Sequence, residues 1–358
     1  DKDPAAFARN PVCAGPYQLS KPWATGEDIT LVRSKSYYKA NKAYSRGGAG
    51  YADEIVFRTL PDTGPDMPDV ATGYALLVDG KVDIADVPLA RLSGARRLRE
   101  HKLFEAPTGD FEYVGFPTGK APLDSATFRR ALGLAIDRGD IVNGLLEGTR
   151  VIPSGLLPPA AGPAAKASTC SAIKPRADQK LAQAAMRTSN VSPAATSLTV
   201  YYNDAASGHD RWLGRIIKSW ESTLNIRSQL KVMPRDEYFK YLTEPGADGP
   251  FRSAWPVTFP SAEAAYGPLL GPNSGDNFTK YESPEFEDAL KAARATADPA
   301  ARAEAYRKAG EILCRDLPIT PMWLDESHVS FSDQVTSAVN GALDIYGDPI
   351  LRELGRSR

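Results

Sequence analysis

Apolar positions along this chain change spacing several times, and each change marks a different predicted element. The segments "LTVYYN" (198–203) and "RSQLKVM" (227–233) are predicted strands. The region between them, "GHDRWLGRIIKSWESTLN" (208–225), has apolar side chains at helical spacing instead. The apolar stripe of this predicted helix consists of Trp212, Ile216, Trp220 and Leu224. A strand, a helix and a strand in succession predict parallel strands and therefore an α/β fold.

Strand patterns also occur nearer the start of the chain. The segments "ITLVR" (29–33) and "IVFRT" (55–59) are predicted strands. Residues 70–88 predict a short helix, a tight turn at Asp79-Gly80 and another strand. Three elements within so short a stretch again indicate an α/β arrangement.

Helix patterns dominate two other regions. The clearest one is 124–148, where apolar side chains recur on one helical face. Two later helices are predicted to begin at Ser283-Pro284 and at Asp298-Pro299. In each pair a capping side chain precedes a proline at the first helical position, where a missing N–H costs nothing.

Two segments break the alternation of strands and helices. Residues 151–177 are rich in Pro, Ala and Ser and predict a surface excursion. The stretch "FRSAWPVTFPSAEAAYGPLLG" (251–271) contains three prolines and is predicted to be neither helix nor strand. It nevertheless carries Trp255 and Phe259. We therefore predict a loop whose apolar side chains pack against another part of the fold or against a ligand.

Composition and charge narrow the classes of function. The 358 residues are enough for two domains, and 43 Lys and Arg against 44 Asp and Glu leave a net charge of −1. Such a balance provides no field that would hold nucleic acid or an anionic membrane. No run of about 18 apolar residues occurs, so no membrane-spanning helix is predicted.

Two of the three cysteines (Cys13, Cys170, Cys314) could pair in an oxidising compartment; the alternative is three partly buried thiols.

Catalytic motifs are absent from this sequence. The histidines, His101, His209 and His328, lie too far apart to form a metal-binding pair by spacing. No GxSxG, GxxxxGK[ST] or GxGxxG motif occurs, and most carboxylates fall on predicted solvent faces of helices. We therefore predict neither an enzyme nor a cofactor. A hydrolase with two carboxylates brought together by the fold is a less favoured alternative.

Four blocks of the sequence carry a family resemblance. They are "NPVCAGPYQLSKPWATGEDITLVRSKSYYKA", "LLVDGKVDIADVP", "GKAPLDSATFRRALGLAIDRGDIVNGLLEG" and "YESPEFEDALKAARATADPAARAEAYRKAGEILCRDLPITPMW". In that order they resemble a strand pair, a turn and strand, an arginine-rich signature helix and a C-terminal helix pair of one family. This family is the bacterial extracellular solute-binding proteins of family 5, which are the oligopeptide-, dipeptide- and nickel-binding receptors of ABC importers.

The resemblance implies a fold and a domain organisation. It implies a two-lobed periplasmic-binding-protein (type II) fold that closes on a ligand held between the lobes. Residues 1–109 would be the remainder of lobe one, 110–325 lobe two, and 326–358 a C-terminal return to lobe one. In the family the first block lies well inside the chain, so we expect a C-terminal fragment that lacks the N-terminal part of lobe one. The family also implies secretion, often with a lipid anchor.

The resemblance also assigns a role to the proline-interrupted stretch. In peptide-binding members a loop reads roughly W-x-x-D-Y-x-(D/E)-P, and its aspartate pairs with the α-amino group of a peptide. "WPVTFPSAEA" falls in register, so Trp255 and Phe259 match the aromatic residues and Thr258 replaces the aspartate. A hydroxyl cannot neutralise an ammonium group that is desolvated in a closed cleft. The resemblance therefore argues against the usual readout of the α-amine, unless Glu263 or a residue from the missing part of lobe one supplies the charge.

Further ligand-binding candidates come from the same family. Arg252 matches a position that meets a peptide carboxylate in oligopeptide binders, and His209 matches another position that faces the cleft. Tyr202 and Asn203 end a predicted strand, and ligands of α/β folds bind at the carboxyl ends of strands. Only one of Tyr201 and Tyr202 is expected to face the ligand, because strand side chains alternate. The alternative to a ligand-binding role is that Arg252 is a solvated surface arginine. For His209 the alternative is that it caps its helix or is exposed.

The resemblance implies an extracellular or periplasmic receptor. It would bind a peptide or a peptide-like small solute without a cofactor or metal and deliver it to an ABC transporter permease. We expect no nucleic-acid partner, and membrane association only through a lipid anchor outside this chain. A sensing module that passes its ligand state to a partner protein is an open alternative, besides the less favoured hydrolase.

Overall fold

The computed structural model describes most of the chain as two compact units. The first unit is Asp1–Ala106 with Ser327–Arg358, and the second is Pro107–Glu326. The described residues are 4–11, 14–40, 52–60, 69–97, 101–166, 168–203, 208–244, 246–336, 343–344, 346–351 and 354–357. Cys13 lies outside them. The boundaries of the two lobes given above remain a prediction.

Short elements build the first unit. Its helices are α1 (Pro4–Arg9), α2 (Lys35–Ala40), α3 (Asp69–Val78) and α4 (Leu89–Ala95). Its strands are β1 (Tyr17–Leu19), β2 (Ile29–Arg33), β3 (Glu54–Phe57), β4 (Ile84–Asp86), β10 (Val335–Thr336) and β11 (Gly355–Arg356), numbered along the whole chain. Strands β1, β2 and β3 form an antiparallel sheet in that order, and β10 pairs with β11.

The elements predicted for this unit are confirmed. The strands expected at 29–33 and 55–59 correspond to β2 and β3, and residues 70–88 contain α3 and β4. The turn between α3 and β4 includes Gly80, whose φ of 70° is left-handed and favours glycine. Its N–H donates to the Leu77 carbonyl at 2.9 Å, which closes the end of the helix.

A sheet forms the centre of the second unit. Its strands are β5 (His101–Gly115), β6 (Ser197–Asn203), β7 (Arg227–Met233), β8 (Phe251–Pro256) and β9 (Ile319–Ser332), of which β5 and β9 also contribute residues to the first unit. Their order is β9, β5, β8, β6, β7, and β4 pairs with the C-terminal part of β9 as the sixth strand of this sheet. Strands β6 and β7 are parallel, as the sequence predicts, and β5 is antiparallel to β8.

Helices cover this sheet. They are α5 (Ala126–Leu134), α6 (Pro163–Lys166), α7 (Gln179–Thr188), α8 (His209–Leu224), α9 (Arg235–Thr243), α10 (Glu263–Leu270), α11 (Pro284–Ala295) and α12 (Pro299–Asp316). Short turns of other helix types are a π-helix at Asp140–Leu145 and 3-10 helices at Pro159–Ala161 and Pro193–Ala195. The predicted starts of α11 and α12 are confirmed, because Ser283 and Asp298 accept hydrogen bonds from backbone N–H groups of the first turn. No helix among the described residues is long and apolar enough to cross a membrane.

The apolar stripe of α8 is buried as its spacing predicts. Trp212, Ile216, Trp220 and Leu224 all belong to one core cluster. The indole Nε1 of Trp220 donates to the Leu132 carbonyl at 3.0 Å, so its polar atom is satisfied inside the core. The stripe therefore fixes α8 on the sheet and positions both ends of this helix.

The prediction that 251–271 forms no regular element is wrong for most of the stretch. Residues 251–256 form β8 because β5 and β6 supply hydrogen-bond partners on its two sides, which the local sequence does not show. Residues 263–270 form α10 with Pro268 inside the helix. Proline lacks the N–H that would reach the Ala264 carbonyl four residues earlier. The indole Nε1 of Trp255 donates to that carbonyl instead, at 2.8 Å.

The prediction of a surface excursion at 151–177 is also wrong. Much of this segment is buried in the core cluster that includes α11 and α12. Its buried residues are Leu156, Leu157, Ala161, Ala164, Ala165, Cys170, Ala172 and Ile173. A disulfide joins Cys170 to Cys314 on α12, with the Cα atoms 5.5 Å apart. The cross-link spans 144 residues of sequence and holds the segment against α12 within the second unit.

Candidate functional site

An arginine and a glutamate form a buried ion pair on the central sheet of the second unit. Val114 of β5 lies opposite Arg252 of β8, so Glu112 is the diagonal neighbour on the same face. The Nε and Nη2 atoms of Arg252 donate to Oε1 and Oε2 of Glu112, with Nη2 to Oε2 at 2.9 Å. The two side chains are only 15% and 8% exposed. This is a two-point pair between a planar guanidinium and a carboxylate.

The end of β6 completes the coordination of this guanidinium. The Nη1 atom of Arg252 donates to Oδ1 of Asn203 at 3.0 Å, and the Asn203 side chain is itself buried. The phenol of Tyr238 donates to the Arg252 backbone carbonyl at 2.5 Å. The arginine is therefore held through its side chain and its backbone, as a residue of a preorganised site would be.

Burial and neighbouring charges act on Glu112 in opposite directions. Burial raises the pKa of its carboxyl to about 7, although the charge and hydrogen bonds of Arg252 oppose the rise. Asp325 of β9 raises the pKa further, and Arg150 lowers it. Arg150 is itself paired with Asp325, with Nε to Oδ1 at 2.8 Å. The desolvated pair depends on its mutual contact, because removal of either partner would leave a buried charge.

His209 begins α8 and is buried beside this pair. Its Nδ1 accepts a hydrogen bond from Nε1 of Trp212 at 3.1 Å. Burial lowers the pKa of the imidazole to about 4, and the charge of Arg252 lowers it as well. The ring is therefore neutral at pH 7, and with Nδ1 as acceptor the proton resides on Nε2. His209 thus offers one N–H donor and no charge.

The two tyrosines before Asn203 point to different sides of the sheet. Tyr202 is half-buried and packs against the core cluster of α8, whereas Tyr201 is buried in the other cluster. The Tyr201 ring lies 4.9 Å from that of Tyr241. This is the alternation that the sequence predicts.

The remaining predicted residues lie apart from the buried pair. Trp255 is an odd number of positions from Arg252 on β8, so the two side chains project from opposite faces. Trp255 packs against the cluster that contains Phe251. Thr258 and Phe259 follow β8 on the connection to α10; Thr258 is exposed, and Phe259 is 46% exposed. The structure therefore brings Arg252, Asn203 and His209 together, while Trp255 projects from the other face of β8 and Thr258 and Phe259 lie on the connection that follows.

Glu263 lies in a different environment from the one considered in the sequence. Its carboxylate accepts from Nε of Arg294 at 3.1 Å and from the Tyr306 phenol at 3.0 Å. These partners belong to α11 and α12, so Glu263 ties α10 to both helices. Its carboxylate already serves a structural role here.

Glu112 is the site residue that the sequence interpretation missed. In "FEYVGF" (111–116) it is the one charged side chain of an otherwise apolar segment. Glutamate is rarely buried without a partner, so such a position predicts an arginine or lysine across the sheet. The sequence therefore indicated that Glu112 has a basic partner, but which residue this is depends on strand pairing.

Residues 1–277 match the family model of the bacterial extracellular solute-binding proteins, family 5, middle region. The chain belongs to this family. The peptide transport periplasmic protein SapA of Salmonella typhimurium is 24% identical over 333 residues, which cover 88% of this chain and 54% of SapA. The dipeptide-binding protein of Escherichia coli is 23% identical over 323 residues, which cover 88% of this chain and 56% of that protein. The chain thus spans about half the length of these curated relatives.

A solved structure shows the same fold. HbpA2 of Haemophilus parasuis superposes with a TM-score of 0.81 at 19% identity, over 96% of this chain and 64% of HbpA2. The expectation of an α/β, two-lobed type II periplasmic-binding-protein fold is therefore confirmed. Members of this family are binding proteins of transporters.

Proposed function

We propose that this chain acts as the solute receptor of an ABC importer. It binds a peptide or a peptide-like small solute outside the cytoplasmic membrane and delivers it to a permease. Family membership supports the class, and two relatives carry names that refer to peptide transport and dipeptide binding. The observation that carries the proposal is the polar group of Arg252, Asn203 and His209 at the end of β6. Three secondary-structure elements position these polar side chains among buried partners.

Binding by this group requires no covalent chemistry. The Nε2–H of His209 and the guanidinium of Arg252 are donors held in fixed positions, which lowers the entropy cost of ordering a ligand contact. Asn203 orients the guanidinium through Nη1. Tyr202, half-buried next to Asn203, supplies an aromatic surface. We assign the recognition of polar groups of the solute to these side chains.

We propose a second contact surface for the solute at Trp255, Thr258 and Phe259. The indole nitrogen of Trp255 is engaged by Ala264, so Trp255 offers its ring surface rather than its N–H. Thr258 is an exposed polar residue, and Phe259 offers an exposed ring. This surface provides apolar contact and hydrogen bonding without a fixed charge. We further propose that the intact protein is held at the membrane by a lipid anchor outside this chain.

Native mass spectrometry tests the binding function directly. The intact protein, purified without refolding, is expected to carry a noncovalently bound small solute that is released on unfolding. A tripeptide panel screened by thermal shift should identify binders, and Arg252→Lys should weaken them because lysine cannot reproduce the planar contacts. Glu304→Gln, on the exposed face of α12, is the matched control and should bind as the wild type does. Turnover of any bound peptide would overturn the proposal in favour of a hydrolase.

Pull-down assays distinguish a receptor from a sensor. A receptor is expected to bind its permease in detergent or nanodiscs more tightly with solute present. Solute-dependent capture of a signalling partner, without any effect on uptake by cells, would favour the sensing alternative.

A further inference from the structure

We infer that Glu112 determines which solute group Arg252 binds. Glu112 occupies the Nε and Nη2 edge of the Arg252 guanidinium, so that this arginine binds an uncharged oxygen acceptor of the solute rather than a carboxylate. The inference rests on the proposed function and deepens it, because it specifies the chemical class of the solute group that binds there.

The first step is geometric. A guanidinium binds a carboxylate best through two parallel N–H groups. In Arg252 the Nε and Nη2 edge already makes such a contact with Glu112, and Nη1 donates to Asn203. Of its five N–H groups, three are thus directed at side chains among the described residues. The other two can donate to a solute atom that needs one or two donors.

The second step concerns charge. Asp110, Glu112 and Asp325 provide three carboxylates in this region, against the guanidinium groups of Arg150 and Arg252. His209 is neutral, so it adds no positive charge. An incoming carboxylate would therefore join three acidic groups and two basic ones in a region where burial already disfavours a negative charge on Glu112. Like charges in a poorly solvated site repel strongly.

The third step concerns the free-energy cost of replacing Glu112 by a solute carboxylate on Arg252. A solute carboxylate could take the two-point contact only if Glu112 released it. Glu112 is 8% exposed, so its carboxylate would remain buried without a partner or would have to take up a proton. A neutral acceptor such as an amide carbonyl, an ester or a hydroxyl carries no such cost, because the ion pair stays intact.

The experiment compares matched peptides with a free C-terminal carboxylate and with a C-terminal amide, using isothermal titration calorimetry. Wild-type protein is expected to bind the amide at least as tightly as the acid. Glu112→Gln should shift the ratio of the two affinities toward the acid by about tenfold, because the guanidinium charge becomes available. Glu304→Gln, which removes an exposed carboxylate of α12 that pairs with Arg307, should keep the wild-type ratio within about threefold.

A second measurement does not depend on any peptide. In protein labelled with ¹⁵N-arginine, the Nε–H resonance of Arg252 is assigned by its loss in Arg252→Lys. Acetate should shift this resonance in Glu112→Gln and leave it unchanged in the wild type; acetamide, a neutral acceptor of the inferred kind, is titrated for comparison. If Glu112→Gln does not fold, the wild-type acid-to-amide ratio and its response to acetate decide the question.

The outcomes separate the two proposals. Wild-type preference for the acid by about tenfold or more, or a shift by acetate in the wild type, would overturn the role of Glu112. An unchanged ratio in Glu112→Gln, or an equal shift in Glu304→Gln, would overturn it as well. If no peptide of either kind binds, the proposed peptide-binding function fails, and the acetate titration still decides the inference.

Discussion

Two arginine–glutamate pairs in the second unit have the same chemistry and different surroundings. Arg252–Glu112 lies on the central sheet with side chains 15% and 8% exposed, whereas Arg294–Glu263 joins two helices with side chains 48% and 26% exposed. Both guanidinium groups contact both carboxylate oxygens. The exposed pair is screened by water and contributes little, while the buried pair carries a desolvation cost that only mutual contact offsets. Burial therefore decides which of the two is suited to control a binding site.

The largest expected effect follows from breaking the buried pair. Glu112→Ala should lower the free energy of unfolding by about 3–5 kcal/mol, because Arg252 is left with an uncompensated charge in a poorly solvated site. Urea unfolding followed by circular dichroism measures the change. The double variant Glu112→Ala/Arg252→Leu should recover part of the loss, since no unpaired charge remains. A loss below about 1 kcal/mol for Glu112→Ala would show that the buried pair behaves like an exposed one.

A smaller effect is expected at His209, which adjoins the buried pair. Its pKa in the folded protein is lowered to about 4 from the usual 6.5, so its stabilising contribution is present above pH 6.5 and is lost as the pH falls toward 4. Between pH 7 and pH 4.5 the wild type should lose about 2 kcal/mol more stability than His209→Gln. Urea titrations of both proteins at the two pH values measure this difference. Equal losses would mean that His209 is not held neutral by its surroundings.

The smallest effect is expected at the exposed pair. Glu263→Gln should cost less than about 1 kcal/mol, and the coupling energy with Arg294 from a double-mutant cycle should be of the same size. The coupling should fall further in 1 M NaCl, because salt screens exposed charges. A coupling energy as large as that of Glu112 and Arg252 would remove the distinction drawn between the two pairs.

Local sequence patterns predicted much of the fold because they report neighbours close in the chain. The apolar stripe of α8 and the proline-marked starts of α11 and α12 are examples, since helical spacing and capping act within a few residues. The predictions for 251–271 and for 151–177 were wrong because local patterns do not report partners that are distant in sequence. Such partners stabilise both segments, namely β5 and β6 for β8 and the Cys314 disulfide for the other segment.

The sequence by itself determined the α/β class, the family and most helices and strands, because these depend on periodicity and on motifs read in order. It also named Arg252 and His209 through resemblance, and Asn203 because it ends a predicted strand. Tertiary structure alone decided that these three meet, that Trp255 projects from the other face of β8, and that Glu112 is the partner of Arg252. Strand register sets which side chains become neighbours across a sheet, and register depends on pairing between segments more than one hundred residues apart.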